Sequence, residues 1–400
     1  MRKKDNSSEM QKIKSRINWF CENKINAFSP TISPAPKSLA ERKIESIRKA
    51  FEYYRANQIT DVVVQKKYMG SYCDIYLHKK LEDTYFVSRN GFKINHIDLQ
   101  AAIIACKTIH QKLDWSNLSI AIIQAEMLPW SILGKGLIQA EFGGYLDAHK
   151  TQNDFLTKSS IIEKLQKVKL TPEFEKFDTD SQKMSSKEFK SAYKSHIVRQ
   201  YSCIQDINIQ DQNKYAQAIN IFSEQLETFG RTTDILFKPF NILKYIYDDG
   251  SEVLVNDNSS FKLINEDPCL EFSIYSDNDI EKAVSLTEKW FNTLTVQNEE
   301  GIVIKPKVAF MPNIAPALKI RNDNYLVMIY GIDFLDRLEN YIDKRNIRKK
   351  IECSVNDWMI NWEMLKVPYS AINTENYYLK NLLLDRILQE KMESTLDNRL

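Results

Sequence analysis

DVVVQKKYMGSYCDIYLHKKLEDTYFVS, running from Asp61 to Ser88, is the stretch on which the fold class turns. β-Branched and aromatic residues dominate DVVVQKKY, SYCDIYLHK and TYFVS, with breaks at Gly70-Ser71 and Glu82-Asp83. That texture predicts three antiparallel strands. Lys67 closes the first strand three residues before Gly70, so a K-x-x-G element sits where a strand ends and the chain turns. In a lysine-rich chain of this length roughly one such match is expected by chance, so the element acquires meaning only from its neighbours.

Working outward, a helix is expected at about 97–113, then a buried strand NLSIAIIQAEM that carries Glu126 near its end, then the irregular LPWSILGKG. Residues 145–230 are polar, mixed in charge and helical in pattern, and they interrupt the β texture. Strand character returns in DILFKPFNILKYIY and SEVLVN, followed by a helix at about 278–293 and the short strands GIVIKP and ALKIR. From Asp333 onward the chain reads as helices, one of which places Leu379, Leu383 and Ile387 on one face. Upstream, a basic helical segment runs to about Ile25 and enters FSPTISPAPKS, read as an extended linker. Ser38 and Glu41 have capping-box spacing, ahead of a helix with Ile44, Ile47, Phe51 and Tyr54 on one face. The expected organisation is an arm and linker over 1–38, an α+β core over 39–332 with a helical insert at about 145–230, and a helical module over 333–400.

Composition bounds the possibilities. Apolar residues make up 43% of the 400 and charged residues 27%, which suits a globular chain and excludes a disordered one. The 55 Lys and Arg against 53 Asp and Glu leave a net charge of +2, so a surface for nucleic acid would have to be a local patch. Six scattered cysteines form no C-x-x-C pair and read as reduced thiols. No apolar run is long enough to span a bilayer and the first residues lack a signal-peptide core, so a cytoplasmic protein without a membrane partner is expected. With ten glycines in the chain, Gly70 beside the Lys67 element and Gly301 beside Glu300 stand out.

After Lys67-Tyr-Met-Gly70 the chain presents Ser88-Arg89-Asn90-Gly91, Glu126 on a buried strand, Phe240-Asn241, Glu300-Gly301-Ile-Val-Ile-Lys305 and Lys319-Ile-Arg321, in that order. This ordered set resembles the covalent nucleotidyltransferase superfamily of DNA ligases, RNA ligases and capping enzymes. The finer likeness, in SPTISPAPKS, KYMGS, AEMLPW, FKPFNIL, EEGIVIKP, ALKIRNDNYLVMIYG and STLDNRL, is to the ligase domain of bacterial polynucleotide kinase-phosphatase-ligase, from about Phe28 to the C-terminus. The resemblance implies an ATP-grasp-like nucleotidyltransferase core of antiparallel sheets with helices, the helical insert and helical C-terminal module, and no OB domain. It implies an RNA ligase that uses ATP with Mg²⁺ or Mn²⁺. Lys67 would accept AMP, Glu126 would contact ribose or the metal side, and Phe240 would stack on adenine. Glu300 would position the metal, Lys305, Lys319 and Arg321 would hold the α-phosphate, and Arg89 would meet a phosphate of nucleotide or RNA. The implied partners are RNA with 5′-phosphate and 3′-OH ends, an RNA 3′-terminal 2′-O-methyltransferase, and kinase and phosphatase modules in cis or in trans.

Elementary chemistry is consistent with this. A lysine amine attacks phosphorus only when neutral, a state favoured by burial and nearby cations such as Lys66, Lys305, Lys319 and Arg321. Three departures from the family pattern are present: Lys66 stands where an acidic residue often precedes the acceptor, Tyr72 where an arginine often follows Gly-Ser, and Asn-Asp-Asn where a glycine-containing segment follows the last basic pair. No G-x-x-x-x-G-K-[ST] loop occurs, and His78, His96, His110, His149 and His196 form no metallophosphatase pattern. The blander readings stay open here: Phe240 as core, Glu126 as a lysine-paired carboxylate, the Trp130, Trp358 and Trp362 rings as packing, and the insert lysines as a solvated face. At the level of the protein, a DNA ligase or capping-like transferase and a non-catalytic RNA- or methyltransferase-binding scaffold are the alternatives.

Overall fold

The computed structural model describes residues 2–28, 30–132, 138–207, 211–228 and 234–400. They divide into two compact units, Met1–Gly136 with Gln225–Leu400, and Leu137–Glu224. The first holds ten strands: β1 (Ser33–Pro34), β2 (Asp61–Lys67), β3 (Ser71–His78), β4 (Tyr85–Ser88), β5 (Leu118–Leu128), β6 (Leu236–Tyr247), β7 (Glu252–Leu254), β8 (Cys269–Ser273), β9 (Gly301–Pro306) and β10 (Leu318–Arg321). They form two five-stranded sheets, ordered β1-β10-β9-β2-β8 and β4-β3-β5-β6-β7, antiparallel except for the parallel β1–β10 pair. The α+β class with mainly antiparallel sheets is as expected.

One expectation about the opening stretch is corrected. Its three strands exist, but only β3 and β4 pair with each other; β2 lies in the other sheet, between β9 and β8. The chain crosses between sheets at Gly70, where a Cβ would lie 2.5 Å from the Met127 carbonyl oxygen and 2.7 Å from Glu126 Cγ. Strand texture predicts extended backbone, whereas the partner is set by which distant strand buries the apolar face.

Alternation fixes the first sheet. Val62 and Val64, Ile302 and Ile304, and Leu318 and Ile320 turn into one core with the helices Ile47–Ala56 and Asp277–Val296. Side chains at the intervening positions must project from the other face. At Gly301 φ is +151°, and a Cβ would sit 2.1 Å from the Ile320 carbonyl oxygen, so only glycine lets β9 approach β10 there. At both Gly70 and Gly301 the close neighbour is protein.

The second sheet is covered on both faces. Cys73, Ile75, Leu77, Ile123 and Met127 share a core with Ala102 of the helix Leu99–Ala105. Tyr76, Val87, Ile122 and Leu243 share another with Phe20 of the helix Arg2–Glu22, Trp358 and Trp362 of Arg348–Lys366, and Leu379, Leu383 and Ile387 of Tyr377–Glu393. The buried Lys244 Nζ fastens β6 to this helical layer, donating to the carbonyls of Leu365 (2.6 Å) and Val367 (3.0 Å). β5 and β6 pair along their full length, ending at Leu128 opposite Leu236, although about a hundred residues separate those two in the chain.

Several local expectations change. The helix after the linker is capped by Ser46, whose Oγ accepts from Lys49 N (3.1 Å), and not by Ser38, whose Oγ accepts from Glu41 N in a turn and whose backbone bridges Lys43. Part of the expected linker is β1, and CLEFS, unassigned from sequence, is β8. The helix at 97–113 is two shorter ones, Leu99–Ala105 and Lys107–His110. The second unit is helical from Gly144–Ser159 into the helix Gln212–Thr228, whose last four residues belong to the first unit, and Phe174 and Phe177 are buried among the rings of Phe189, Tyr193 and Tyr201. LPWSILGKG falls partly outside the described residues.

Candidate active site

A cleft of about 920 Å³ opens on the face of the first sheet opposite its helical core, and Lys67, Arg89, Glu126, Phe240, Glu300, Lys305, Lys319 and Arg321 all line it. The strand period explains the convergence: Lys67 on β2, Lys305 on β9 and Lys319 and Arg321 on β10 occupy positions that alternate with the core residues. Register brings them level, with Lys67 opposite Gly301 and Gly301 opposite Arg321.

Lys67 Nζ donates to Glu300 Oε2 at 2.9 Å, and the Glu300 side chain is 5% exposed. Lys66 pairs separately with Glu299 at 2.6 Å. Glu126 faces the same ion pair from β5; burial pushes its carboxyl up to about 7, helped by Glu300 and opposed by Lys67 and a hydrogen bond from the Gly70 backbone. The basic wall carries unequal charges. Burial brings Lys305 down to about 7, and Lys319 is held well below the ordinary lysine range by burial and then by the neighbouring cations Arg321 and Lys67. Arg321 is pinned: its Nε and Nη2 donate to the fully buried Glu45 at 3.1 and 2.5 Å, and Nη2 also donates to the Arg399 carbonyl. Arg345 shares Glu45 at 2.8 Å, and the two guanidinium groups overcome burial to keep that carboxyl low.

Phe240 is half-buried on β6. Its ring lies 5.9 Å from the Tyr72 ring and 4.8 Å from Lys305 Nζ, which also donates to the Phe240 carbonyl at 3.3 Å. Tyr72, standing where an arginine was expected, is a neutral wall residue whose hydroxyl donates to Asp74 (2.6 Å) and accepts from Gln124 (2.8 Å). Burial raises Asp74 to about 7. Trp358 is in the core as expected, its indole N–H donating to the Ala309 carbonyl, while its edge and that of Trp130 reach the cleft.

Sequence reasoning missed several residues here. Tyr325 lies in the cleft on the helix Asp323–Tyr330 and hydrogen-bonds Glu300 with a buried hydroxyl. Asn322 caps that helix through Tyr325 N (2.8 Å), and the N-x-x-Y spacing was the available signal. Glu45, Lys350 and Glu393 carried none, because their partners lie far off in the chain. Among the described residues no group of three or more His, Cys, Asp or Glu could cage a metal. Two facing carboxylates beside a basic wall nonetheless suit a hard divalent cation that takes its remaining oxygens from water and phosphate.

A family model described as the PNKP adenylyltransferase domain, ligase domain, matches residues 20–373. The chain belongs to this family. It is therefore an adenylyltransferase-type ligase domain, and the scaffold alternative falls away. Two solved structures resemble this PNKP ligase domain throughout. A chain in a structure of the Pnkp1/Rnl/Hen1 RNA repair complex is 49% identical, with 98% of this chain and 99% of that chain covered and a TM-score of 0.94. A second structure of the Pnkp1/Rnl/Hen1 complex gives 49% identity, 98% and 100% coverage and a TM-score of 0.92. No curated protein matches. No described helix of this ligase domain is long and apolar enough to cross a membrane.

Proposed function

We propose that this ligase domain is an ATP-dependent RNA ligase of RNA end repair that carries AMP on Lys67. The observation that carries the reading is the Lys67–Glu300 contact at the centre of a cleft lined by every other residue the resemblance nominates. Lys67 Nζ attacks the α-phosphorus of ATP, a nitrogen–phosphorus bond forms, and the bond to pyrophosphate breaks. The ammonium proton passes first to the carboxylate pair beside it, where Glu126 has a proton affinity suited to the task. Phe240 stacks on adenine and Glu126 faces the ribose or metal side. Lys305 and Lys319 hold the α-phosphate with Arg321, which Glu45 fixes in direction. Arg89 meets a phosphate of nucleotide or RNA. Glu300 would hold Mg²⁺ or Mn²⁺, which when bound would supply charge neutralisation for the pyrophosphate. AMP then moves to an RNA 5′-phosphate, and a 3′-OH seals the break by displacing it.

The likeness to chains of Pnkp1/Rnl/Hen1 complexes supports RNA as substrate and an assembly with an RNA 3′-terminal 2′-O-methyltransferase; kinase and phosphatase modules in cis or in trans and a cytoplasmic location belong to the same proposal. The division into 1–38, 39–332 with its insert, and 333–400 belongs to the same proposal. Radiolabelled ATP with Mg²⁺ or Mn²⁺ should label the wild type and leave Lys67→Ala unlabelled. A folded wild type that takes no label refutes the reading, and label from GTP instead would point to capping chemistry. Comparing nicked RNA with nicked DNA, with and without the methyltransferase, tests the end-sealing step.

A further inference from the structure

At one end of the cleft three donors from distant parts of the chain converge on a single carboxylate. Glu393 Oε1 accepts from Lys350 Nζ at 2.6 Å and from Arg89 Nη2 at 2.9 Å, and Glu393 Oε2 accepts from Thr31 Oγ1 at 2.5 Å. Two of the three donors are built in, while the Arg89 side chain is 57% exposed and reaches Glu393 from the surface. The Lys350 side chain is 7% exposed, and Thr31 is buried with its backbone N–H on Asp357 (3.1 Å) and its carbonyl accepting from Ser354 Oγ (2.6 Å). Although burial opposes it, Arg89, Lys350 and the Thr31 hydroxyl hold the Glu393 carboxyl down to about 2.

The origin of that anion matters. Seven basic residues line the cleft, and besides Glu126 and Glu300 the carboxylate side chains there are Glu390, Glu393 and Asp397, all supplied by the last turn of the helix Tyr377–Glu393 and the segment after it. Two planar or tetrahedral oxygens bridging a guanidinium, an ammonium and a hydroxyl describe a phosphate as well as a carboxylate.

We propose that Thr31, Arg89 and Lys350 form a second anion site in the cleft, for a terminal phosphate monoester, and that Glu393 is its resident surrogate, displaced when the phosphate arrives. The inference rests on reading the cleft as a nucleotide and RNA site. The monoester is either the 5′-phosphate of RNA or the terminal phosphate of ATP, and one experiment separates them. Equilibrium binding is measured on the Lys67→Ala chain, so that the outcome does not depend on covalent chemistry and failure of the AMP-acceptor role would not mimic failure here. The probes are a 5′-phosphorylated oligoribonucleotide against its 5′-hydroxyl twin, and ATP against AMP.

Lys350→Ala should weaken the phosphorylated probe by about tenfold with its unphosphorylated twin unchanged, as expected for a lost charge-assisted hydrogen bond. Lys350→Arg should restore the preference. Glu393→Gln, which keeps the shape and removes the competing charge, should strengthen it. Thermal melting checks that each variant is folded. A change confined to the RNA pair assigns the site to the RNA end, and a change confined to ATP against AMP assigns it to the nucleotide. If no folded variant alters either preference, the site does not exist.

Discussion

At the residue scale the cleft stores charge in unusual states, and this has consequences for pH. Glu126 holds its proton to about pH 7 in the folded protein, against about 4.3 for a free glutamate. Between those values the native state binds more protons than the unfolded one, so stability falls as pH rises from about 4 to 7. Glu126→Gln should therefore gain on the wild type at pH 7 and not at pH 4, by at most about 3 kcal/mol. Paired thermal melts of the apoprotein check this, and equal differences at both pH values would refute it. Lys305 behaves in the opposite sense: with its folded value near 7, it strains the protein below that pH and is relieved as pH climbs toward 10. Tyr325 is a positioning residue through Glu300. Tyr325→Phe should slow label uptake from ATP by about 10- to 100-fold, the range for loss of an outer hydrogen bond to a metal-side ligand, and raised metal concentration should recover part of the loss. Lys67, Glu300 and Lys319 were legible because each sits at a fixed place in a short ordered pattern. Tyr325, Glu45 and Lys350 were not, since their chemistry arises from partners far along the chain.

Elements were legible where periodicity was long and partners did not matter. β5, β6 and the helix Asp277–Val296 appear where the alternating or helical pattern placed them. β1 is two residues long and contains a proline, so only its pairing with β10 distinguishes it from linker. The cap moved from Ser38 to Ser46 because serine occurs at both places, and only Ser46 directly precedes the helix Ile47–Ala56, while Ser38 is held in a turn bridged to Lys43. Gly301 shows an element held by one atom's absence. Gly301→Ala forces a Cβ into the Ile320 carbonyl and should cost on the order of 3 kcal/mol. Denaturant unfolding reads the loss, and because Lys319 and Arg321 lie on the displaced strand, labelling by ATP should fall with it.

At the scale of the whole molecule, the sequence announced a β core and helical flanks but not which strands share a sheet, nor that Phe20 near one end of the chain and Leu383 near the other enter one core. Such pairings follow from burying apolar faces together and leave no local trace. The unit Leu137–Glu224 has its own aromatic core around Phe174 and Phe177, so residues 138–224 produced alone should show a helical spectrum and melt cooperatively. A coil-like spectrum would show that its order is borrowed. The pairing of Leu128 with Leu236 makes that unit the contents of a very large β-hairpin loop. Chain statistics make such a loop cheap: stretching a ten-residue connection to about a hundred adds only about 2 kcal/mol of closure entropy. The cost falls on speed, because β5 must wait for a partner about a hundred residues downstream, and the central pairing of the second sheet is expected to form late unless the intervening helices collapse first and bring its two ends together.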